Sequence, residues 1–440
     1  MTALQSALNT RCQRRRILRA CVRLAAAMAA LAVAGAASAQ CDYQITVISR
    51  PGCSSWGEPM PVAMNDDAVV VGHALPCQSI TEKAFRWTES DGFSFLNLGP
   101  GQAATRATAV APGGTIAGIY QTGGLASPWK GFVWKDGVTQ YILPPESEPW
   151  SDVMVEGFLD EDTVVGYIHN SNGPDQAFLW RNGAYLQIGG VQNREFLGAS
   201  GTGRVTGKEK NVDAQDSIAQ RWDIWMDDRG QTVVQTPIPV PPPLVRSEGW
   251  AVSTHGHVAG RCQKPDPRIG LAGARYRAFY WDGSTTTVVE PLPGHSGSFF
   301  YDINDLGQAA GKSYCQAESC PGLFKTQAII WQNGNVTVLD PLIEDPRGLN
   351  GYSDYAVAIN NRGQVLLKGI SSQGGTFLLT PPSMPGDVNA DCRVNAHDLT
   401  LLLEHWGPVV AGTVLRADLD EDGEIGPVDL GILLGGWTPE

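Results

Sequence analysis

A tetrad of small residue, aromatic residue, variable residue and Trp returns along this chain at intervals of forty to sixty residues, and a chain made of such copies has few architectures open to it. The copies are Ala84-Phe85-Arg86-Trp87, Gly131-Phe132-Val133-Trp134, Ala177-Phe178-Leu179-Trp180, Ala278-Phe279-Tyr280-Trp281 and Ala328-Ile329-Ile330-Trp331, with Gln220-Arg221-Trp222 a degraded version. Asp136-Gly137, Asn182-Gly183, Asp282-Gly283 or Asn333-Gly334 follows the tetrad, and these dipeptides favour the positive backbone angles of tight hairpins. Earlier in the unit, Asn65-Asp66-Asp67, Asn304-Asp305-Leu306-Gly307 and Asn360-Asn361-Arg362-Gly363 mark a second turn between strands such as Val69 to Val71 and Gln364 to Leu367. Each unit therefore holds four short strands. Counting the Gly that ends the second strand (Gly72, Gly118, Gly166, Gly207, Gly260, Gly311, Gly369) gives seven units. The chain is expected to be mainly β, a seven-bladed β-propeller, with six or eight blades or a β-solenoid as alternatives. The strand Tyr43 to Ser49 precedes the first unit and is placed to complete the seventh blade. Pro237 to Pro243 reads as a long loop between the fourth and fifth units.

Near the C-terminus a second duplication appears, with a period of thirty-one residues. Asp387, Asn389, Asp391, Asn395 and Asp398 form the first copy, and Asp418, Asp420, Asp422 and Asp429 the second. A twelve-residue calcium loop takes oxygens from positions 1, 3 and 5, a carbonyl at 7, often a water at 9, and a carboxylate at 12. Both stretches fit, with the carbonyls of Arg393 and Glu424 at position 7 and the apolar Val394 and Ile425 at position 8. Leu399, Leu402, Leu403 and Trp406 then fall at helical spacing, matched by Leu430, Leu433, Leu434 and Trp437. Each copy is a loop and one helix. Two Ca²⁺ sites are expected. The first is expected to bind more weakly, because position 6 needs a left-handed turn that Gly423 supplies without strain and Cys392 reaches at a cost of about 1 kcal/mol.

This duplication resembles a type I dockerin module, a small all-α, paired loop-helix calcium fold that docks onto a cohesin partner. The resemblance covers residues 386 to 438. It implies a cohesin-like or other surface receptor protein as partner. Dockerins carry a hydroxyl pair at positions 10 and 11, whereas this chain has Ala396-His397 and Pro427-Val428, so a different receptor stays open. The units between residues 60 and 380 resemble the HAF-type extracellular repeat, with its Ile-Asn-Asp-x-Gly turn and Ala-Phe-x-Trp tetrad. That resemblance implies an architecture and no activity.

At the N-terminal end, Arg11, Arg14, Arg15, Arg16, Arg19 and Arg23 precede the apolar run Leu24 to Ala36 and then Ala37-Ser38-Ala39. This reads as a secretory signal over residues 1–39, of either the ordinary or the twin-arginine type, leaving a mature chain from Gln40. The run is too short to span a bilayer. The expected order is then a repeat domain over 40–380, a Pro-rich linker over 381–385 and the calcium module over 386–440. Without the leader, 26 basic residues face 45 acidic ones, a net charge of −19 that repels nucleic acid and attracts divalent cations. Seven cysteines remain, an odd number, so at least one thiol stays outside any internal bridge. Cys315 with Cys320 and Cys41 with Cys53 are candidate pairs.

The body offers little chemistry. A glycosidase needs two carboxylates across the scissile bond, and nothing among Asp152, Glu156, Asp160, Glu161 and Asp162 marks a pair. No Gly-x-Ser-x-Gly elbow, phosphate-cradling Gly loop or CxxC pair occurs. His255 and His257 sit on a repeat turn, where exposure or a metal pair are the two readings. A Trp fixed in every tetrad reads as packing between blades, while Trp56, Trp150, Trp225 and Trp250 lie outside the register and are better candidates for contact with a ligand such as a glycan, with core or rim packing the first reading of each. No catalytic residue is assigned. A secreted binding or scaffold protein tethered through the calcium module is expected, with a polysaccharide-degrading hydrolase as the alternative.

Overall fold

The structure, a computed structural model, describes residues 43–50, 58–123, 127–171, 173–186, 193–211, 216–227, 230–266, 270–315, 326–339, 355–369, 375–409 and 415–438. The expected leader, Trp56 and the Cys41 with Cys53 pair lie outside them. Seven antiparallel sheets of four strands form a seven-bladed β-propeller. In the first blade Met60–Met64 is innermost, followed outward by Val70–Ala74, Lys83–Thr88 and Gly92–Phe95. The ring closes as the sequence suggests: Gln44–Ile48 pairs with Thr376–Thr380, Val47 opposite Phe377, as the outermost strand of the seventh blade. Pro237 to Pro243 leads from the last strand of the fourth blade into the fifth.

Cores form between blades, and the tetrads supply them. Trp222 and Ile224 of the fourth blade pack with Leu159, Val165 and Leu179 of the third. Phe85 and Trp87 of the first pack with Ala358, Leu366 and Leu378 of the seventh. A tetrad Trp is thus a blade-to-blade spacer. Three of the four hairpin dipeptides have both residues at positive φ: Asp136 and Gly137 (50° and 84°), Asn182 and Gly183 (49° and 89°), Asn333 and Gly334 (48° and 87°). Asp282-Gly283 differs. Its loop is two residues longer, because Trp281 pairs with Thr286, and the Asp282 carboxylate accepts from the N–H groups of Ser284 and Thr285.

Every innermost strand carries a bulge, and the reason for the repeated Gly lies opposite it. A Cβ on Gly72, Gly118, Gly166, Gly207, Gly260 or Gly311 would stand 1.9–2.1 Å from a carbonyl oxygen of the inner strand. In the seventh blade that register belongs to Leu367, opposite Ala356, and Gly369 falls past the strand end. The count of seven is right, but its last marker is a different residue.

The Asn-Asp turns tie neighbouring blades together from the fifth blade, across the ring closure, to the second. Asn360 Oδ1 accepts from the N–H groups of Arg362 and Gln364, forming its own turn, while Asn360 Nδ2 donates to the Asn65 carbonyl at 3.2 Å. Asn304 does the same toward Asn360, and Asn65 toward Ala111. The following residue reaches the other way: Asp66 accepts from Asn361 N–H, and Asp305 from Thr254 N–H. Asn is therefore the turn-former, and the residue after it is a brace to the preceding blade.

The tail folds as two helices, α1 (Ala396–Glu404) and α2 (Pro427–Gly435), each entered from an acidic loop. Leu402 and Leu433 are buried together with Val394 and Ile425, and Leu306 of the sixth blade joins this core. Strand pairing links Ile425 to Gly407, and hydrogen bonds link Val394 to Thr438. Pro381–Pro385 brings the tail directly against the ends of the repeat turns. Gln308 Nε2 donates to the Asn389 carbonyl at 3.1 Å, and Arg416 donates to the carbonyls of both Asp387 (2.8 Å) and Arg362 (3.3 Å). Cys77, Cys315 and Cys392 are disulfide-bonded, and the buried Cys262 is a free thiol, in keeping with the odd count.

Candidate calcium loops and central cavity

The two acidic loops fold alike at positions 1, 5 and 12. Position 1 orders the turn: Asp387 accepts from the N–H groups of Asp391 (3.0 Å) and Cys392 (3.0 Å), and Asp418 from those of Asp422 (3.1 Å) and Gly423 (3.1 Å). Position 5 accepts from position 7, Asp391 from Arg393 N–H and Asp422 from Glu424 N–H. Position 12 closes the loop across its helix start. Asp398 accepts from Asn389 N–H (3.0 Å) and Asn395 N–H (2.8 Å), and Asp429 from Leu419 N–H (2.6 Å) and Gly426 N–H (2.7 Å). Asn395 also caps α1 by accepting from His397 N–H, whereas Gly426 at the same position has no side chain to do so. Positive φ recurs at positions 4 and 6, with Ala390 (56°) and Cys392 (64°) matching Glu421 (59°) and Gly423 (88°). The position-4 constraint has no Gly to announce it, so sequence reasoning passed over it.

In the second loop, ligand atoms of Asp418, Asp420 and Asp422 lie within 4.8 Å of one another, close enough to share one ion. Three carboxylates at that spacing repel, and a hard divalent cation relieves the repulsion. The first loop is set deeper: Asp387, Asn389 and Asp398 are buried. Burial pushes the Asp387 carboxyl up to about 6, against the pull of the Arg416 guanidinium 3.8 Å away. It offers one carboxylate fewer and a resident cation beside position 1, so its affinity should be the lower of the two.

Inside the ring, a cavity of about 480 Å³ is walled by the inner strands. Each bulge sends one residue into it, and among these Glu156 brings a carboxyl group and Trp250 and Tyr301 bring aromatic rings. Trp250, a candidate for ligand contact, lines the cavity, donating to Glu248 at 3.3 Å with the Arg261 guanidinium stacked over its ring. Trp150 and Trp225 are exposed at the surface. Of the acidic run, Glu161 accepts from Gly113 N–H and Asp160 pairs with Arg181, so Glu156 alone faces the cavity. Beside it runs a charge network that no local motif predicted: Lys208 bridges Glu195 (3.0 Å) and Glu248 (2.9 Å), and Arg261 pairs with Glu248 at 2.7 Å.

Burial, reinforced by Glu195 and opposed by Lys208, pushes Glu156 up to about 8. A carboxyl raised on folding holds its proton longer in the folded state than in the unfolded one. Stability should therefore fall as pH rises from the ordinary carboxylate range to about 8, by up to about 1.4 kcal/mol per pH unit. Glu156→Gln is expected to flatten that slope. Urea unfolding at pH 5 and pH 8 checks it, and equal slopes in both proteins would refute the placement.

Residues 385–434 match the family model of the dockerin type I domain. The tail carries that domain. Its dockerin-like character agrees with the duplicated loop geometry, and the match is confined to it. No curated protein matches the chain. Among solved structures, the β-propeller domain of the Trilobed protease from Pyrococcus furiosus is similar with TM-score 0.48 and 9% identity, covering 74% of this chain and 94% of that one. An oligogalacturonate lyase from Vibrio parahaemolyticus gives 0.47 and 9%, covering 78% and 97%. Virginiamycin B lyase from Staphylococcus aureus gives 0.40 and 8%, covering 78% and 100%. Likenesses of this size say nothing of activity. No helix among the described residues is long and apolar enough to cross a membrane.

Proposed function

We propose that this is a secreted, non-catalytic binding or scaffold protein, tethered to an extracellular or cell-surface assembly by its dockerin-like tail over residues 386–440, with calcium held in both acidic loops. The convergence of Asp418, Asp420 and Asp422 carries the metal reading. Asp387, Asn389, Asp391, Asn395 and Asp398, with the Arg393 carbonyl, would hold one Ca²⁺, and Asp418, Asp420, Asp422 and Asp429, with the Glu424 carbonyl, the other. Calcium would supply charge neutralisation, which links tail folding to the metal. Docking is supported by the apolar surface that both repeats leave exposed: Leu403 on α1 with Trp406 just beyond it, and Val428 and Leu434 on α2 with Trp437 just beyond it. A cohesin-like or other receptor would cover it. The repeat domain over 40–380 would present the cavity to a ligand such as a glycan, with Trp250 and Tyr301 as stacking surfaces.

A polysaccharide hydrolase would need a second free carboxylate facing Glu156. The other carboxylates of the cavity, Asp66, Asp302 and Asp305, each accept hydrogen bonds from a neighbouring blade. They serve the ring, which favours binding over cleavage.

Titration calorimetry of the whole chain with calcium tests the tether. Two ions should bind, the tighter in the second loop, and Asp418→Ala should abolish the tighter event while leaving the weaker. Uptake of no calcium would end the proposal, and release of reducing sugar from a polysaccharide would replace the scaffold reading with the hydrolase.

A further inference from the structure

At the contact between body and tail, two imidazoles from residues 150 positions apart meet head to head: His405 Nε2 lies 3.2 Å from His255 Nε2. The far nitrogen of His405 is already committed. His405 Nδ1 is 2.8 Å from the Leu401 carbonyl oxygen, which can only accept, so Nδ1 carries the hydrogen and Nε2 of the neutral ring carries a lone pair. His255 Nδ1 stands 3.6 Å from the buried Asp305 carboxylate, beyond hydrogen-bond reach, but the negative charge there favours the same tautomer. Two lone pairs then point at each other. That contact is repulsive unless a shared proton or a cation lies in or beside it. The other charged groups of this turn have partners of their own: Arg204 donates to the Thr254 carbonyl, Arg221 to the Gly256 carbonyl at 3.0 Å, and His257 Nδ1 is paired with the Tyr280 hydroxyl at 2.8 Å.

We propose that His255 and His405 are the protein ligands of a divalent transition-metal ion of the zinc class, which clamps the tail to the propeller. Two nitrogens bound at about 2.0–2.1 Å to one tetrahedral zinc stand about 3.3 Å apart, close to the spacing found here. A ligating His whose other ring nitrogen is held by a carbonyl or a carboxylate is also the usual arrangement around such ions, since it fixes the tautomer and makes the ligand more basic. His255 is exposed and His405 half-buried, so water can complete the shell. Calcium would not compete, because it selects oxygen ligands. The ion would lock the orientation in which α1 and α2 present their exposed apolar side chains.

Zinc chloride titrated calorimetrically into the whole chain at neutral pH, in saturating calcium, tests this. One zinc should bind per chain. His255→Ala and His405→Ala should each weaken it at least tenfold, and His405→Gln, which keeps bulk and polarity, should do the same. Unchanged calcium stoichiometry certifies that the variants are folded. Absence of zinc uptake, or uptake that survives all three substitutions, would overturn the proposal in favour of a shared proton.

Discussion

Gly311→Ala is expected to destabilise the propeller by at least about 3 kcal/mol, more than any surface change in the chain. The new Cβ would stand 1.9 Å from the Phe299 carbonyl oxygen and 2.8 Å from Phe300 Cα, both backbone atoms of the neighbouring strand. No rotamer change can relieve the clash. The inner strand must surrender its bulge between Phe300 and Asp302, and with it the hydrogen bond from Ile359 N–H to Asp302 that ties the sixth blade to the seventh. Gly137→Ala separates this effect from backbone strain. It has nothing within 4 Å and a φ of 84°, so it should cost only about 1 kcal/mol. Midpoints of denaturant unfolding compare the two. If Gly311→Ala proves no worse than Gly137→Ala, the close approach of strands is not what fixes this residue.

The propeller was legible because its constraints are local and repeated. Turn dipeptides, strand alternation and the tetrad all act within one blade, and repetition exposes them. What a blade does to its neighbour was not legible. Asn360 reaches Asn65 across the ring closure, and no pattern within either turn reveals that its amide bonds outward while Asp66 bonds back. Gly369 misled for a related reason: a nearby Gly stood in for Leu367, and only the pairing with Ala356 distinguishes them. The tail repeated the lesson. Its loops were readable from ligand spacing, yet the packing of Leu306, Gln308 and Arg362 against it, and the meeting of His255 with His405, depend on contacts between residues far apart in the chain.

Asp429→Ala and Asp398→Ala should each reduce calcium affinity at their own loop at least a hundredfold, and they should differ in what else they disturb. Position 12 supplies the carboxylate that a calcium loop needs most, and here the same carboxylates are almost fully buried acceptors of backbone N–H groups. Alanine leaves those N–H groups without a partner, at about 1–3 kcal/mol each. In the second loop the damage should stay local, because that loop is largely exposed. In the first, Asn389 gives its N–H to Asp398 and its carbonyl to Gln308 of the body, so disorder at Asp398 passes directly to the contact that seats the tail. Hydrogen exchange of the whole chain in calcium reads the difference. Asp398→Ala should lose protection at both loop and repeat-turn amides, and Asp429→Ala at loop amides only. Equal protection of the repeat turns in the two variants would mean that the tail rests on the propeller without depending on its first loop.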